Sequence, residues 1–161
     1  MLALVTGASS GIGLQYATQL ARDYHIDLLL VSNQEEEQKQ VAADLAAQYG
    51  VKTTALYADL SKQDAAEQLF AYCQENKLVV DILVNNAGVF FFNPYCETSM
   101  KRIELILNLH MITVAKLCRL FGEEMMKREL TAEEQTQKIC GKCINVLTSS
   151  ALNVQNGISG G

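Results

Sequence analysis

The sequence predicts an α/β fold, an open, doubly wound parallel sheet with helices on both faces. Three observations carry that expectation. Short β-branched or leucine-rich runs alternate with amphipathic stretches along the chain. The first run breaks into a glycine-rich loop, and the second is almost continuously apolar, as suits a strand covered on both faces. Strand and helix alternate four times before a final strand, which calls for crossovers, and right-handed crossovers place helices on both sides of a parallel sheet.

Leu2 to Thr6 forms the first strand, closed by Gly7. Ile12 to Tyr24 follows as a helix with Leu14, Ala17, Leu20 and Ala21 on one face. Ile26 to Val31 is the second strand. Glu35 to Tyr49 is the second helix, its three leading glutamates suiting the positive end of the helix dipole. Lys52 to Ala58 is a third strand, closed by Asp59-Leu60-Ser61, and Gln63 to Glu75 is helical. Val79 to Val84 is a fourth strand that ends in Asn85-Asn86-Ala87-Gly88. Two separate helices are expected at about Glu97 to Leu109 and Thr113 to Arg128. A charged connector over 129–142 then leads to a fifth apolar run, Cys143 to Leu147.

Composition narrows the function. With 161 residues, 49% of them apolar and 19% charged, the chain suits one packed domain and excludes a disordered or collagen-like one. The formal charge is −5 and no basic block occurs, so neither nucleic acid nor an anionic membrane surface is an expected partner. No signal peptide is recognisable and no uncharged run suits a bilayer span. Five scattered cysteines read as free thiols in a reducing cytoplasm. Cys140-Gly141-Lys142-Cys143 precedes a strand rather than a helix, and a lone pair is half a zinc site, so neither redox chemistry nor a metal is expected there.

Ligands of such sheets sit beyond the carboxyl ends of the strands. The first such end carries Thr6-Gly7-Ala8-Ser9-Ser10-Gly11-Ile12-Gly13. Glycines at 7, 11 and 13 let the backbone turn tightly and come close to a ligand. The loop also delivers free N–H groups at a helix start, where a pyrophosphate is favoured. Ser9 and Ser10 add hydroxyls. On this reading a side chain at Gly13 would intrude on the pyrophosphate.

The spacing is G-x-x-x-G-x-G, and no Lys-Ser/Thr of a triphosphate loop follows. Later strand ends carry Asp59-Leu60, Asn85-Asn86-Ala87-Gly88 and Thr148-Ser149-Ser150. With these motifs in this order, the chain resembles the short-chain dehydrogenase/reductase family, most strongly from Leu2 to about Arg128. The resemblance implies a Rossmann-like NAD(P)-binding domain, with five strands present of roughly seven usual for it. It implies that Gly7, Ser9, Ser10, Gly11, Ile12 and Gly13 hold the adenosine ribose and pyrophosphate of the cofactor. Asp59, with Leu60 beside it, matches the acid that recognises the adenine amino group, and Asn86, Ala87 and Gly88 match a motif that lines the cofactor. Asn108 matches the helix asparagine that holds a water in the proton relay. Ser149 matches the catalytic serine that hydrogen-bonds a substrate carbonyl or hydroxyl. Ser150 competes with Ser149 for that role; read without the resemblance, Asp59 serves as a helix cap, Asn108 as a surface amide, and the serine pair as turn chemistry.

Cofactor choice is usually set after the second strand. Ser32-Asn33 stands there, without the acid that binds a ribose 2′-OH or the arginine that binds a 2′-phosphate. Both side chains can donate to phosphate, which tilts the expectation slightly to NADP.

The resemblance implies hydride transfer between nicotinamide and a carbonyl or secondary alcohol, with a tyrosine as proton donor and a lysine four residues later. The tyrosines are at 16, 24, 49, 57, 72 and 95, followed four positions on by Leu20, Leu28, Thr53, Ser61, Asn76 and Ser99. None is lysine. The pair would fall at or beyond Gly161, so the domain reads as C-terminally incomplete and turnover by these residues alone is not expected. A non-catalytic dinucleotide sensor and an inactive truncated product are the alternatives. His110 and His25 are poor substitutes for the missing acid, since a lone helix histidine is more often a partly buried polar residue. Phe90-Phe91-Phe92 either walls an apolar substrate pocket or packs as core aromatics. An exposed fifth-strand edge predicts low solubility or self-association.

Overall fold

The computed structural model describes residues 1–92, 94–132 and 142–145. Five parallel strands, β1 (Leu2–Thr6), β2 (Asp27–Ser32), β3 (Thr53–Tyr57), β4 (Ile82–Asn85) and β5 (Lys142–Asn145), form one sheet in the order β3-β2-β1-β4-β5. The register is direct, with Leu4 opposite Leu29 and Leu83, and Val84 opposite Ile144. Helices α1 (Gly11–Tyr24), α2 (Glu35–Tyr49), α3 (Ala65–Glu75), α4 (Met100–Leu107) and α5 (Thr113–Ala132) complete the chain. The first two crossovers step outward from β1 through β2 to β3. The third, through α3, returns to the other side of β1. The strand order therefore reverses between β1 and β4, and a crevice must open there.

Strands β1, β2 and β4 feed two cores because successive side chains point to opposite faces. On one face Leu4, Leu29, Val31 and Leu83 pack against Leu69 and Cys73 of α3 and Leu117, Phe121 and Met125 of α5. On the other, Ala3, Val5, Leu28, Leu30 and Val84 meet Ala17 and Ala21 of α1 and Ala42 and Leu45 of α2. Burial on both faces accounts for the unbroken apolar β2, and each fully buried Leu or Val contributes about 1.5–3 kcal/mol. The small alanines of α1 let that helix lie close to the sheet. It ends at His25, which takes a left-handed conformation (φ 51°) and donates its N–H to Ala21 O, while the Ile26 N–H donates to Leu20 O.

Three expectations change. The two late helices are one continuous rod, because α4 passes into α5 through a π turn at Asn108–Ile112, where Thr113 N–H bonds back to Asn108 O. Apolar periodicity shifts by one residue at such a turn, which looks like a break in the sequence. Residues 129–132 are helical and Lys142 belongs to β5, so the connector is shorter than 129–142 at both ends. The strand after Lys77 starts at Ile82, not Val79. Strand ends are otherwise within two residues of expectation, with β5 beginning one residue earlier.

The rod also bears on the membrane expectation. Met100–Arg128 is long and apolar enough to cross a bilayer by length and composition. Its residues Leu109, Thr113, Leu117, Phe121 and Met125 recur every four positions and are buried against the sheet and α3, as in a core helix. Arg128 fastens its far end, donating to Val80 O (2.5 Å) and lying 3.7 Å from Asp81, whose second oxygen accepts from Leu2 N (2.9 Å).

Candidate functional site

A cleft of about 610 Å³ opens at the strand-order reversal. The ends of β1, β2, β3 and β4 all contribute to it. Ser9, Ser10 and Ile12 come from the glycine loop, Ser32 and Asn33 from the β2 end, Asp59 and Leu60 from the β3 end, and Asn86, Ala87 and Gly88 from the β4 end, together with Gly7. The structure thus brings together eleven of the thirteen residues expected at the cofactor.

The other two, Gly11 and Gly13, shape the loop from behind. Gly11 is left-handed (φ 58°) with open space around its Cα hydrogen, so backbone conformation is what demands glycine. Gly13 is buried, and a Cβ there would lie 2.2 Å from Gly7 O and 2.4 Å from Asn86 Nδ2. A side chain at Gly13 therefore collides with the protein's own loop, a packing reason for glycine beside the expected role at the pyrophosphate.

The first intrahelical bond of α1 runs from Leu14 N to Ser10 O (3.2 Å), so the amides of Gly11, Ile12 and Gly13 precede the ladder. No acidic residue occupies that first turn. Unpaired N–H groups, a positive helix end and no competing carboxylate suit an anionic phosphate.

The β4 end is locked to the β1 end through Thr6. Its buried hydroxyl donates to Val84 O (3.3 Å) and accepts from Asn86 N (2.9 Å) and Ala87 N (3.0 Å). Asn86 Nδ2 donates in turn to Thr6 O and Gly7 O, both at 3.1 Å. Asn86 Oδ1 is buried without a hydrogen-bond partner among the described residues, an acceptor at the wall of the cleft. Thr6 carries the junction, and sequence reasoning gave it no role. A buried hydroxyl closing an otherwise apolar strand was the available signal.

At the β2 end the donors differ from expectation. Ser32 is buried and its hydroxyl donates to Ser9 Oγ (3.1 Å) while accepting from Gln34 N (3.1 Å). Ser9 donates to Gln34 Oε1 (2.7 Å). Ser32 is therefore committed internally, and the donors left at this corner belong to Asn33 and Gln34. Gln34 went unnoticed in the sequence because its pattern position is that of a plain helix-leading residue.

Asp59 Oδ1 accepts from Ser61 N (3.1 Å) and Ser61 Oγ (2.6 Å), an Asx turn. It does not cap α3, whose N-cap is Asp64, so the capping alternative is excluded. Leu60 is buried in the cleft wall and its carbonyl accepts from Thr113 Oγ1 (2.9 Å).

Asn108 opens the π turn and lies outside the cleft lining, although Leu105 and Leu109 on either side of it reach the cleft. Ser149, Ser150 and Cys140 lie outside the described residues. Phe90 and Phe92 stack edge-to-face (4.8 Å) on the surface, Phe92 being 80% exposed, and Arg102 sits over the Phe91 ring (4.7 Å). The core-aromatic alternative for Phe90 and Phe92 therefore falls. No group of three or more potential metal ligands occurs among the described residues.

Known proteins share this arrangement. Residues 1–155 match the short chain dehydrogenase family. A very-long-chain 3-oxoacyl-CoA reductase from Anas platyrhynchos is 33% identical over 131 residues, which is 78% of this chain and 41% of that protein. The fold superposes on a short-chain dehydrogenase from Sphingobium yanoikuyae in complex with NADPH (TM-score 0.80, 26% identity, 98% of this chain and 57% of that one). It also superposes on the bulky-bulky ketone specific alcohol dehydrogenase from Comamonas testosteroni (TM-score 0.73, 26% identity, 79% of this chain and 50% of that one). The chain spans about half the length of the proteins it matches. With a cleft at the sheet's reversal point built from the ends of four strands, and a family match over residues 1–155, the chain belongs to the short-chain dehydrogenase family.

Proposed function

We propose that these residues serve an NAD(P)-dependent enzyme that interconverts a carbonyl and an alcohol, by supplying its cofactor half. The observation that carries the proposal is the α1 start at the cleft wall, where the amides of residues 11–13 lie outside the helix ladder, Ile12 lines the cleft, and no acidic residue occupies the turn. Gly11, Ile12 and Gly13 hold the pyrophosphate, Asp59 the adenine amino group, and Asn86 to Gly88 the nicotinamide side. The cofactor supplies the hydride. Asn108 holds a water of the proton relay and Ser149 orients the substrate oxygen, while the proton itself needs a tyrosine–lysine pair that these 161 residues do not contain.

NADP is slightly preferred on this reading. Asn33 and Gln34 offer donors to a 2′-phosphate, and no carboxylate stands at 32–34 to bind a free 2′-OH. Glu35 and Glu36 oppose that phosphate only partly, because Lys39 pairs with both (2.8 and 3.2 Å). The substrate meets the apolar Val89 and Leu105 of the cleft wall, with the exposed Phe90 and Phe92 following Val89 in the chain as its rim. A bulky or acyl-bearing carbonyl suits such a rim, as the names of the similar ketone-specific dehydrogenase and oxoacyl-CoA reductase also suggest. Free thiols at Cys73 and Cys96 support a reducing, cytoplasmic setting.

Fluorescence titration of the 161-residue chain with NADH and NADPH tests the reading. Saturable binding of both, with NADPH the tighter by less than about tenfold, is expected. Binding of neither would refute it.

A further inference from the structure

The π turn interrupts the rod at the cleft wall, where Leu109 is buried and half-buried His110 reaches the loop after β4. Its Nε2 lies 3.0 Å from Val89 N and 2.9 Å from Val89 O, so it accepts from the Val89 N–H in one tautomer and donates to the Val89 carbonyl in the other. The ring also rests on Gly88, where a Cβ would come within 2.8 Å of His110 Cε1. Gly88 and Val89 line the cleft, immediately after Asn86 and Ala87. Three residues further along the rod, buried Thr113 holds Leu60 O (2.9 Å) at the end of β3. One turn of helix therefore grips both loops that close this side of the cleft.

A regular α-helix would not be neutral here. Removing the extra residue of a π turn rotates everything after it by about 100° relative to everything before. Thr113, which follows the turn and holds Leu60 O, would then be turned away from the cleft-lining Leu105 that precedes it. The π turn thus has a structural consequence at the site, although Asn108 itself does not line the cleft.

We propose that His110 is a positioning residue for cofactor binding, fixing the Gly88–Val89 backbone against the π turn and so setting the nicotinamide-side wall. The inference rests on the NAD(P) reading of the cleft. It assigns His110 no proton transfer. It also gives Gly88 a second reason to be glycine, namely the ring that lies against it.

A double-mutant cycle read by NADPH fluorescence titration, with thermal melts alongside, tests it. His110→Leu keeps the bulk and loses the ring nitrogen, and is expected to weaken NADPH binding about tenfold. His110→Gln, whose amide both donates and accepts near the Nε2 position, is expected to stay within about threefold of the parent. Gly88→Ala is expected to weaken binding in the parent, and by a clearly smaller factor in His110→Ala, where the ring is gone. Should His110→Leu not fold, His110→Asn carries the same expectation, since its amide is too short to reach Val89. Parent-like affinity in His110→Leu or His110→Asn would overturn the inference, and so would an equal Gly88→Ala loss in both backgrounds. A loss in His110→Gln as large as in His110→Leu would also overturn it. If the parent binds both cofactors, a negative result in the variants counts against His110 alone. If the parent binds neither, the cofactor reading fails and this inference falls with it.

Discussion

Single side chains decide which cofactor fits and which groups stay inert. Ser32 and Ser9 spend their hydroxyl protons on each other and on Gln34, so the corner where a 2′-substituent would sit is neutral and offers amide donors only. Replacing Gln34 with arginine adds a fixed cation and a bidentate fork. The NADPH-to-NADH affinity ratio is expected to rise about tenfold in Gln34→Arg, measured by paired titrations. An unchanged ratio would move the 2′-site elsewhere. Cys73 makes the opposite kind of point. It is 1% exposed against β1 and α5, and burial pushes its thiol from an ordinary value of 9.0 up to about 11. A thiol whose pKa is raised on folding costs nothing while it is protonated in both states. Stability is therefore full below about pH 9 and declines as pH rises from there toward 11. Native protein at pH 8 is expected to take iodoacetamide at exposed Cys96 and not at Cys73, as read by peptide mass mapping.

At the scale of elements, the glycines and the π turn show different reasons for similar sequence signals. Gly13→Ala forces a Cβ to 2.2 Å from the Gly7 carbonyl, a backbone atom that cannot swing aside. The variant is expected to lose about 1–3 kcal/mol of stability in denaturant unfolding, whether or not cofactor is present. Gly11→Ala meets no neighbour and pays only for its left-handed backbone, about 1 kcal/mol. Loss of cofactor affinity without loss of stability in Gly13→Ala would restore the pyrophosphate explanation. Helix α2, β1 and the glycine loop were legible in the sequence because their signals are local: three glutamates, an apolar run, a Gly-rich break. The π turn was not. Its hydrogen bond spans five residues, and the buried stripe Leu109–Thr113–Leu117–Phe121–Met125 continues in step on the far side. What precedes the turn follows a shifted register, which reads in one dimension as two helices.

For the whole molecule, the order β3-β2-β1-β4-β5 leaves β5 with a strand on one side only among the described residues. Its free edge carries unpaired backbone groups, which invite pairing with a second chain. The rod adjoining it displays Met111 (62% exposed) and Met126 (57% exposed). We expect the 161-residue chain to self-associate, with a sedimentation coefficient that rises with concentration. A concentration-independent monomer stable to heating would contradict this. Neither expectation depends on the cofactor, so solubility and binding can be separated in the same preparation.

The sequence by itself determined the α/β class, the alternation of elements and the cofactor motifs, because those rest on periodicity and on residues adjacent in the chain. It also showed that these 161 residues contain no Tyr-x-x-x-Lys. Only the tertiary structure decided what each motif residue is for. It gave Gly13 a packing reason to be glycine, withdrew Ser32's hydroxyl into an internal bond, and gave Asp59 a turn rather than a cap. It introduced Thr6, Gln34 and His110, none of which has a distinctive neighbour in sequence. Their roles come from contacts such as Thr6 with Asn86 and His110 with Val89, 80 and 21 residues apart. Contacts at such separations exist only once the crossovers have closed, so no local pattern can encode them.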